Sequence, residues 1–157
     1  SPTMWPSRSV SRYAAAAGFS VTVVDDRPEF ANPERFPGAR RVVCEPFDRT
    51  HGSVALHAGS YVVIATRGHR HDESVLEASV GFGPKYIGMI GSRRKVALTF
   101  NRLEKAGVGK NLLAGVHAPI GLPIGARTAE EICISIVAEL ISIRRSARPS
   151  SPRRRRS

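Results

Sequence analysis

The sequence predicts an α/β fold: a parallel sheet with helices on both faces. Short runs that are apolar throughout recur between stretches whose apolar residues have helical spacing. Strands buried on both faces read as unbroken apolar runs, whereas half-exposed strands alternate. Two of the runs also end on residues suited to ligands. One ends on a pair of carboxylates, the other on a glycine–serine turn followed by three cations. Open α/β sheets bind ligands at such strand ends.

Taken in order, "SPTMWPSRSVSR" (1–12) offers no strand and no G-x-G-x-x-G, and is expected to be atypical and disordered. "SRYAAAAGF" reads as the back half of a helix that stops at Gly18. "FSVTVVDD" (19–26) is the first strand, "RRVVCE" (40–45) a short second one and "SYVVIAT" (60–66) a third. "DESVLEASVGFG" is a helix, with Asp72 as its N-cap and Gly81 or Gly83 as its stop. "KYIGMIG" is the next strand. "SRRKVALTFNRLEKAG" is a helix with Val96, Phe100 and Leu103 on one face and Gly107 as the C-cap.

"VHAPIGLPIGARTAEE" (116–131) has too many prolines for a strand and too few charges for a linker, so it is a packed, pocket-shaping loop. The last helix opens on a capping box, Thr128 and Glu131, and closes on Arg144 and Arg145, where cations suit the helix dipole. Its polar residues Ser135, Glu139 and Ser142 form one narrow stripe on an otherwise apolar cylinder, which requires burial on most sides in the core or at a dimer interface. The domain is expected to span 13–143, followed by a basic, disordered tail over 144–157. A doubly wound sheet normally begins with a strand and a glycine-rich turn ahead of the carboxylate-tipped strand. Neither is visible here, so the sheet should have an open position where that first strand would lie.

The net charge of +11 belongs mostly to the ends. Nine of the 24 cations lie at or before Arg12 or at or beyond Arg144; the remaining fifteen face thirteen acids, a balance of +2. A basic tail binds polyanions weakly, and no specific nucleic-acid partner is implied. No apolar run reaches the ~18–20 residues of a membrane span, and no signal peptide is visible. Cys44 and Cys133 are isolated, and read as reduced, buried thiols of a cytoplasmic protein.

In "KYIGMIGSRRK", Arg93, Arg94 and Lys95 stand in the first turn of a helix, whose dipole disfavours cations by about 0.3–1 kcal/mol each. A bound oxyanion, held by free N–H groups and the cations, would offset this. Glycines before the turn allow close backbone approach. The contrasting reading leaves all three side chains in solvent. Asp25 and Asp26 end their strand where an acid accepts hydrogen bonds from ribose; otherwise they cap the turn or pair with Arg27. His69, His71 and Asp72 invite a metal reading, but no further ligands cluster near them, and substrate contact or capping is preferred. His117 is either structural or an acid–base group. No catalytic arrangement stands out.

"VTVVDDRPEFANPERFPGA", "YIGMIGSRRK" and "VHAPIGLPIGARTAEEICISIVAELI" together resemble the C-terminal Rossmann domain of the XdhC/CoxI/CoxF family, over residues 13 to 143. That family comprises accessory and maturation factors for xanthine dehydrogenase, carbon monoxide dehydrogenase and related molybdenum hydroxylases. The resemblance implies a Rossmann-like sheet and a cytoplasmic, non-enzymatic accessory factor. Its ligand would be the molybdenum cofactor (a molybdopterin) or a nucleotide. Its implied partners are a molybdenum hydroxylase apoenzyme, a cysteine desulfurase and a second copy of itself. The cofactor-binding candidates are Asp25, Asp26, Gly88, Gly91, Ser92, Arg93, Arg94 and His117. The family's first strand and "GAGHVG"-like turn have no counterpart here, so a truncated, inactive form is one expectation. An NAD(P)-dependent oxidoreductase and a non-catalytic nucleotide-binding module are the competing readings.

Overall fold

The computed structural model describes residues 6–47, 54–65 and 69–146. Helix α1 spans Pro6–Ala16, strand β1 Thr22–Asp25, strand β2 Arg41–Cys44 and strand β3 Tyr61–Ile64. Helix α2 (His69–Gly81), strand β4 (Tyr86–Met89), helix α3 (Arg93–Lys105), the short helix α4 (Lys110–Ala114) and helix α5 (Ala129–Ser146) follow. All four strands anticipated from the apolar runs are present.

The amino-terminal expectation is corrected. Helix α1 begins at Pro6, a residue whose fixed φ suits a first helical position, so 6–12 are helical and continuous with the segment read as a helix end. The reason is packing against α5. Ser9 Oγ donates to Glu130 Oε1 at 2.9 Å, and the Tyr13 hydroxyl donates to the other oxygen. At the far ends Arg144 Nη1 donates to the Ala17 carbonyl at 2.9 Å. The two helices therefore run side by side in the same direction. Arg144 and Arg145 belong to α5 rather than to a tail, and residues 147–157 lie outside the described residues.

The strands form two parallel pairs. β1 joins β2 with Thr22 opposite Arg41, and β3 joins β4 with Tyr61 opposite Tyr86. Among the described residues no strand lies between β1 and β3. Ring contacts show that the two pairs share a direction. Phe19, just before β1, meets Tyr61 at the start of β3 with centroids 5.3 Å apart. Phe47, beyond β2, meets His71, beyond β3, at 5.2 Å. The order among the described residues is β2-β1 and then β3-β4.

One core, on α2, α3 and α4, gathers Ile64, Leu76, Ile87, Met89, Val96 and Leu103. The other, under α1 and α5, gathers Val10, Ala14, Cys133, Ile136 and Val137 against Phe19, Ile90 and Ile120. β4 is buried at every residue, which is why its sequence is apolar without alternation. The loop after α4 packs beside β4: His117 N–H donates to the Ile87 carbonyl at 2.8 Å and Ile120 N–H to that of Met89 at 3.1 Å. Cys133 is buried as expected; Cys44 is exposed at the end of β2, a correction. Among the described residues no helix is long and apolar enough to cross a membrane.

Candidate functional site

The turn from β4 into α3 is built by Ser92. Its backbone is extended, and its Oγ accepts from the Lys95 N–H at 3.2 Å, while its carbonyl accepts from Val96 at 2.9 Å. Ser92 is thus the N-cap, and its side chain is committed to the helix. Of the three cations that follow, Lys95 is offset internally. Its Nζ lies 2.6 Å from Asp72 Oδ2, and the Asp72 side chain is only 1% exposed. Asp72 is therefore not the cap that its position in the sequence suggests; it lies within the first turn of α2, which begins three residues earlier at His69.

Arg93 and Arg94 are exposed and meet no carboxylate among the described residues. Their own N–H groups are the two at the helix start that neither the cap nor the helical ladder uses. Two guanidinium groups and two free donors therefore stand together at the carboxyl end of β4, a donor set suited to a phosphate-like oxyanion. Gly91 leads into this turn with the Lys95 stem against it.

Asp25 and Asp26 lie at the carboxyl end of β1, at the same edge of the fold. Arg27 grips Asp25 through its backbone N–H (2.9 Å) and through Nε and Nη2 (3.0 Å each). Burial pushes the Asp25 carboxyl up, but these hydrogen bonds and the adjacent charge outweigh it and hold the group below its ordinary value. The Arg27 guanidinium is itself raised, chiefly by Asp25, and lies 3.8 Å from the centre of the Phe30 ring. Asp25 is therefore occupied. Asp26, 3.9 Å from Arg27 Nε and one-third exposed, is the carboxylate available to a ligand at this edge.

The structure does not bring Gly88 and His117 to the turn. They face each other in a parallel bridge, and Gly88 is three residues before Gly91, ~10 Å along a strand. A Cβ at Gly88 would lie 2.5 Å from both Ile120 Cδ1 and the Tyr86 hydroxyl, so glycine here makes room for packing rather than for a ligand. His117 Nδ1 lies 2.8 Å from Glu139 Oε1, which also accepts from the Tyr86 hydroxyl at 3.0 Å. The His117 and Tyr86 rings stack at 4.7 Å. Burial, then the Glu139 charge, pushes the Tyr86 phenol far up.

Sequence reasoning does not reach this cluster, in which Tyr86 and Glu139 are buried and His117 is half-exposed. The stripe Ser135, Glu139 and Ser142 is its only signal, and only Ser142 of the three is exposed. Ser135 is buried and donates to the Ile132 carbonyl. His71 is exposed and rests against Phe47; the side chain of His69 lies outside the described residues.

The family model described as "XdhC Rossmann domain" matches residues 6–140. The chain is 33% identical over 153 residues to the uncharacterized protein YqeB of Escherichia coli (strain K12), covering 93% of this chain and 28% of that protein. It is 31% identical over 136 residues to a probable xanthine dehydrogenase subunit of Bacillus subtilis (strain 168), covering 87% and 39%. The molybdenum cofactor insertion chaperone PaoD of Escherichia coli (strain K12) is 27% identical over 92 residues, covering 59% and 29%. A crystal structure of a xanthine dehydrogenase from Bacillus halodurans superposes with a TM-score of 0.77 at 30% identity, covering 94% of this chain and 42% of that one. The chain spans between about a quarter and two-fifths of the length of these relatives.

Proposed function

Because this chain belongs to the XdhC Rossmann-domain family, we propose that it is the ligand-binding part of a maturation factor for a molybdenum hydroxylase, of the xanthine or carbon monoxide dehydrogenase type. It binds and hands on without turning over a substrate. Its ligand is the molybdenum cofactor or a nucleotide, held by the phosphate that both carry. The observation that supports this most is the pair Arg93 and Arg94, left without carboxylate partners among the described residues beside two unused N–H groups, while Lys95 is offset by Asp72. Those residues fit a phosphate monoester, and Asp26 at the same edge fits a hydroxyl or amine donor on the rest of the ligand. The names of the relatives point the same way, one being a molybdenum cofactor insertion chaperone and another a probable component of a xanthine dehydrogenase.

Calorimetric titration with molybdopterin and with a nucleoside monophosphate tests the site. Replacing Arg93 and Arg94 by Ala removes two charge-assisted contacts of roughly 1.5–3 kcal/mol each, so affinity should fall by about two to four orders of magnitude. Unchanged affinity in the double variant would rule out this turn as the phosphate site and leave family membership untouched. Pull-down with an apo-hydroxylase reads the partner directly, and the same experiment reads the cysteine desulfurase and self-association that the family resemblance implies.

A further inference from the structure

Helix α3 carries an exposed face that the core does not use. Val96, Thr99 and Leu103 are its buried residues. On a helix of 3.6 residues per turn, the ridge facing away from them is Arg94, Leu98, Asn101 and Lys105, and all four are exposed. At 1.5 Å per residue this ridge is about 16 Å long. Its charge has one sign. Arg94 and Lys105 meet no carboxylate among the described residues. The helix has one acid, Glu104, which is half-buried and lies about a quarter turn off the ridge. Elsewhere cations have partners: Asp25 holds Arg27, Asp72 holds Lys95 and Glu73 holds Arg102. Within this cationic ridge Leu98 is 48% exposed. A single exposed leucine is ordinary on a protein surface. Set between unpaired cations of one sign, it has the form of an interface anchor. An apolar centre supplies affinity, and a like-charged rim repels wrong partners and selects the complementary charge.

The geometry points to the outer face of α3 as the docking surface for an acidic, leucine-bearing helix of a partner protein. A helix answers a helix because it repeats the same spacing. Carboxylates near its two ends meet Arg94 and Lys105, while an apolar side chain between them packs on Leu98. Packed helices lie with axes 8–10 Å apart. Ala97 and Asn101, short and exposed beside Leu98, leave room for that approach. A nucleic acid would answer the cations but leave Leu98 in water, so the apolar centre selects a protein. The face also begins at the turn that carries Arg93 and Arg94, so a helix docked along it lies beside the proposed phosphate site, where a hand-over requires it. The partner's role therefore rests on the proposed function, whereas the surface stands on charge, spacing and exposure alone.

The test uses the full chain and a capped, fluorescently labelled helical peptide of about fourteen residues, with leucines flanked by glutamates on one face and alanine elsewhere. Saturable binding in anisotropy is expected, with amide shifts centred on Ala97, Leu98 and Asn101. Leu98→Gln keeps the helix and removes the anchor, and should weaken binding roughly tenfold or more. Lys105→Glu should weaken it several-fold at low salt and little at high salt. Both variants should bind a nucleoside monophosphate as the parent chain does, so a failed docking face and a failed phosphate site read out separately. The arginine run 153–156 also attracts anions, but that attraction does not depend on Leu98. Equal binding of the peptide to the Leu98→Gln variant would reduce the effect to bulk charge and overturn the inference. So would equal binding of a peptide of the same composition with its leucines and glutamates on opposite faces. Leu98-dependent binding of an RNA oligonucleotide or of anionic phospholipid vesicles, tighter than that of the peptide, would assign the face to those surfaces and overturn the choice of a protein. A dimer of the parent chain that Leu98→Gln abolishes and the peptide does not displace would assign it to a second copy, with the same consequence.

Discussion

Three adjacent cations at one helix start should respond to mutation with opposite signs. Lys95 and Asp72 form a pair whose acid is 1% exposed and whose lysine is 22% exposed. Lys95→Met keeps the aliphatic stem and deprives the buried carboxylate of its ammonium. Breaking a buried pair from one side destabilises by about 3–5 kcal/mol. Since water reaches one-fifth of Lys95, about 2–4 kcal/mol is the expected loss here. For a chain of this size that lowers Tm by roughly 4–16 °C. Arg93→Ala with Arg94→Ala removes two exposed cations from a positive pole, and without ligand should leave stability unchanged or raise it by about 0.3–1 kcal/mol per site at low salt.

Urea unfolding of the two variants, at low and high salt and with a shared m-value, makes the comparison. The arginine effect should shrink with salt, because exposed charges are screened, while the Lys95 effect should persist. Adding Asp72→Asn to Lys95→Met should restore part of the loss by removing the stranded charge. Equal losses in the Lys95 and arginine variants would show that the arginines have structural partners, and the argument for an anion at this turn would fall with that result.

The remaining predictions concern the groups around β4 and β1. Tyr86→Phe deletes the buried donor to Glu139 and should destabilise by about 1.5–3 kcal/mol in urea unfolding, with ligand affinity unchanged. Gly88→Ala places a Cβ 2.5 Å from Ile120 Cδ1 and the Tyr86 hydroxyl; overpacking of this kind costs about 1–3 kcal/mol, again without loss of affinity if Gly88 serves packing alone. Asp25 sits below its ordinary value of 3.8 in the folded chain, so its contribution is complete above that value and is lost as pH falls through the lowered one. Arg27→Met should therefore reduce stability at neutral pH, and the two stability–pH curves should converge in acid; parallel curves down to the acid limit would contradict the assignment.

Most of the fold is legible because it rests on patterns within a dozen residues. "YIGM" is apolar on both faces and buried at every position, while "YVVI", equally apolar, is buried at Ile64 and half-buried at the three residues before it. The cap at Ser92 and the box at Thr128 and Glu131 are equally local, and the structure places the Thr128–Glu131 bonds at 2.8 and 3.1 Å. What stays hidden depends on pairs distant in sequence. Nothing near Lys95 announces Asp72, and nothing near His117 announces Glu139. A carboxylate in an apolar helix reads as the wet face until a buried tyrosine and a histidine are brought to it. Helix α1 escapes a local reading for the same reason. "PSRSVSR" has little apolar content of its own, and its helicity rests on α5, more than a hundred residues away.

The open strand position is long-range too, yet it can be anticipated, because it is an arithmetic consequence of local readings. A carboxylate-tipped strand preceded by a helix needs a strand before that helix to pair with, and a parallel pair cannot share an edge with the next pair unless one strand lies between them. With β1 and β3 both identified, the need for a strand between them follows before any contact is known. Its chemistry does not. That Thr22, Val24, Tyr61 and Val63 turn their backbone groups away from β2 and β4 follows only from which carbonyls the outer strands already occupy, a fact of register. Register follows from side chains on both faces, and these strands, apolar on both, leave it unspecified in one dimension.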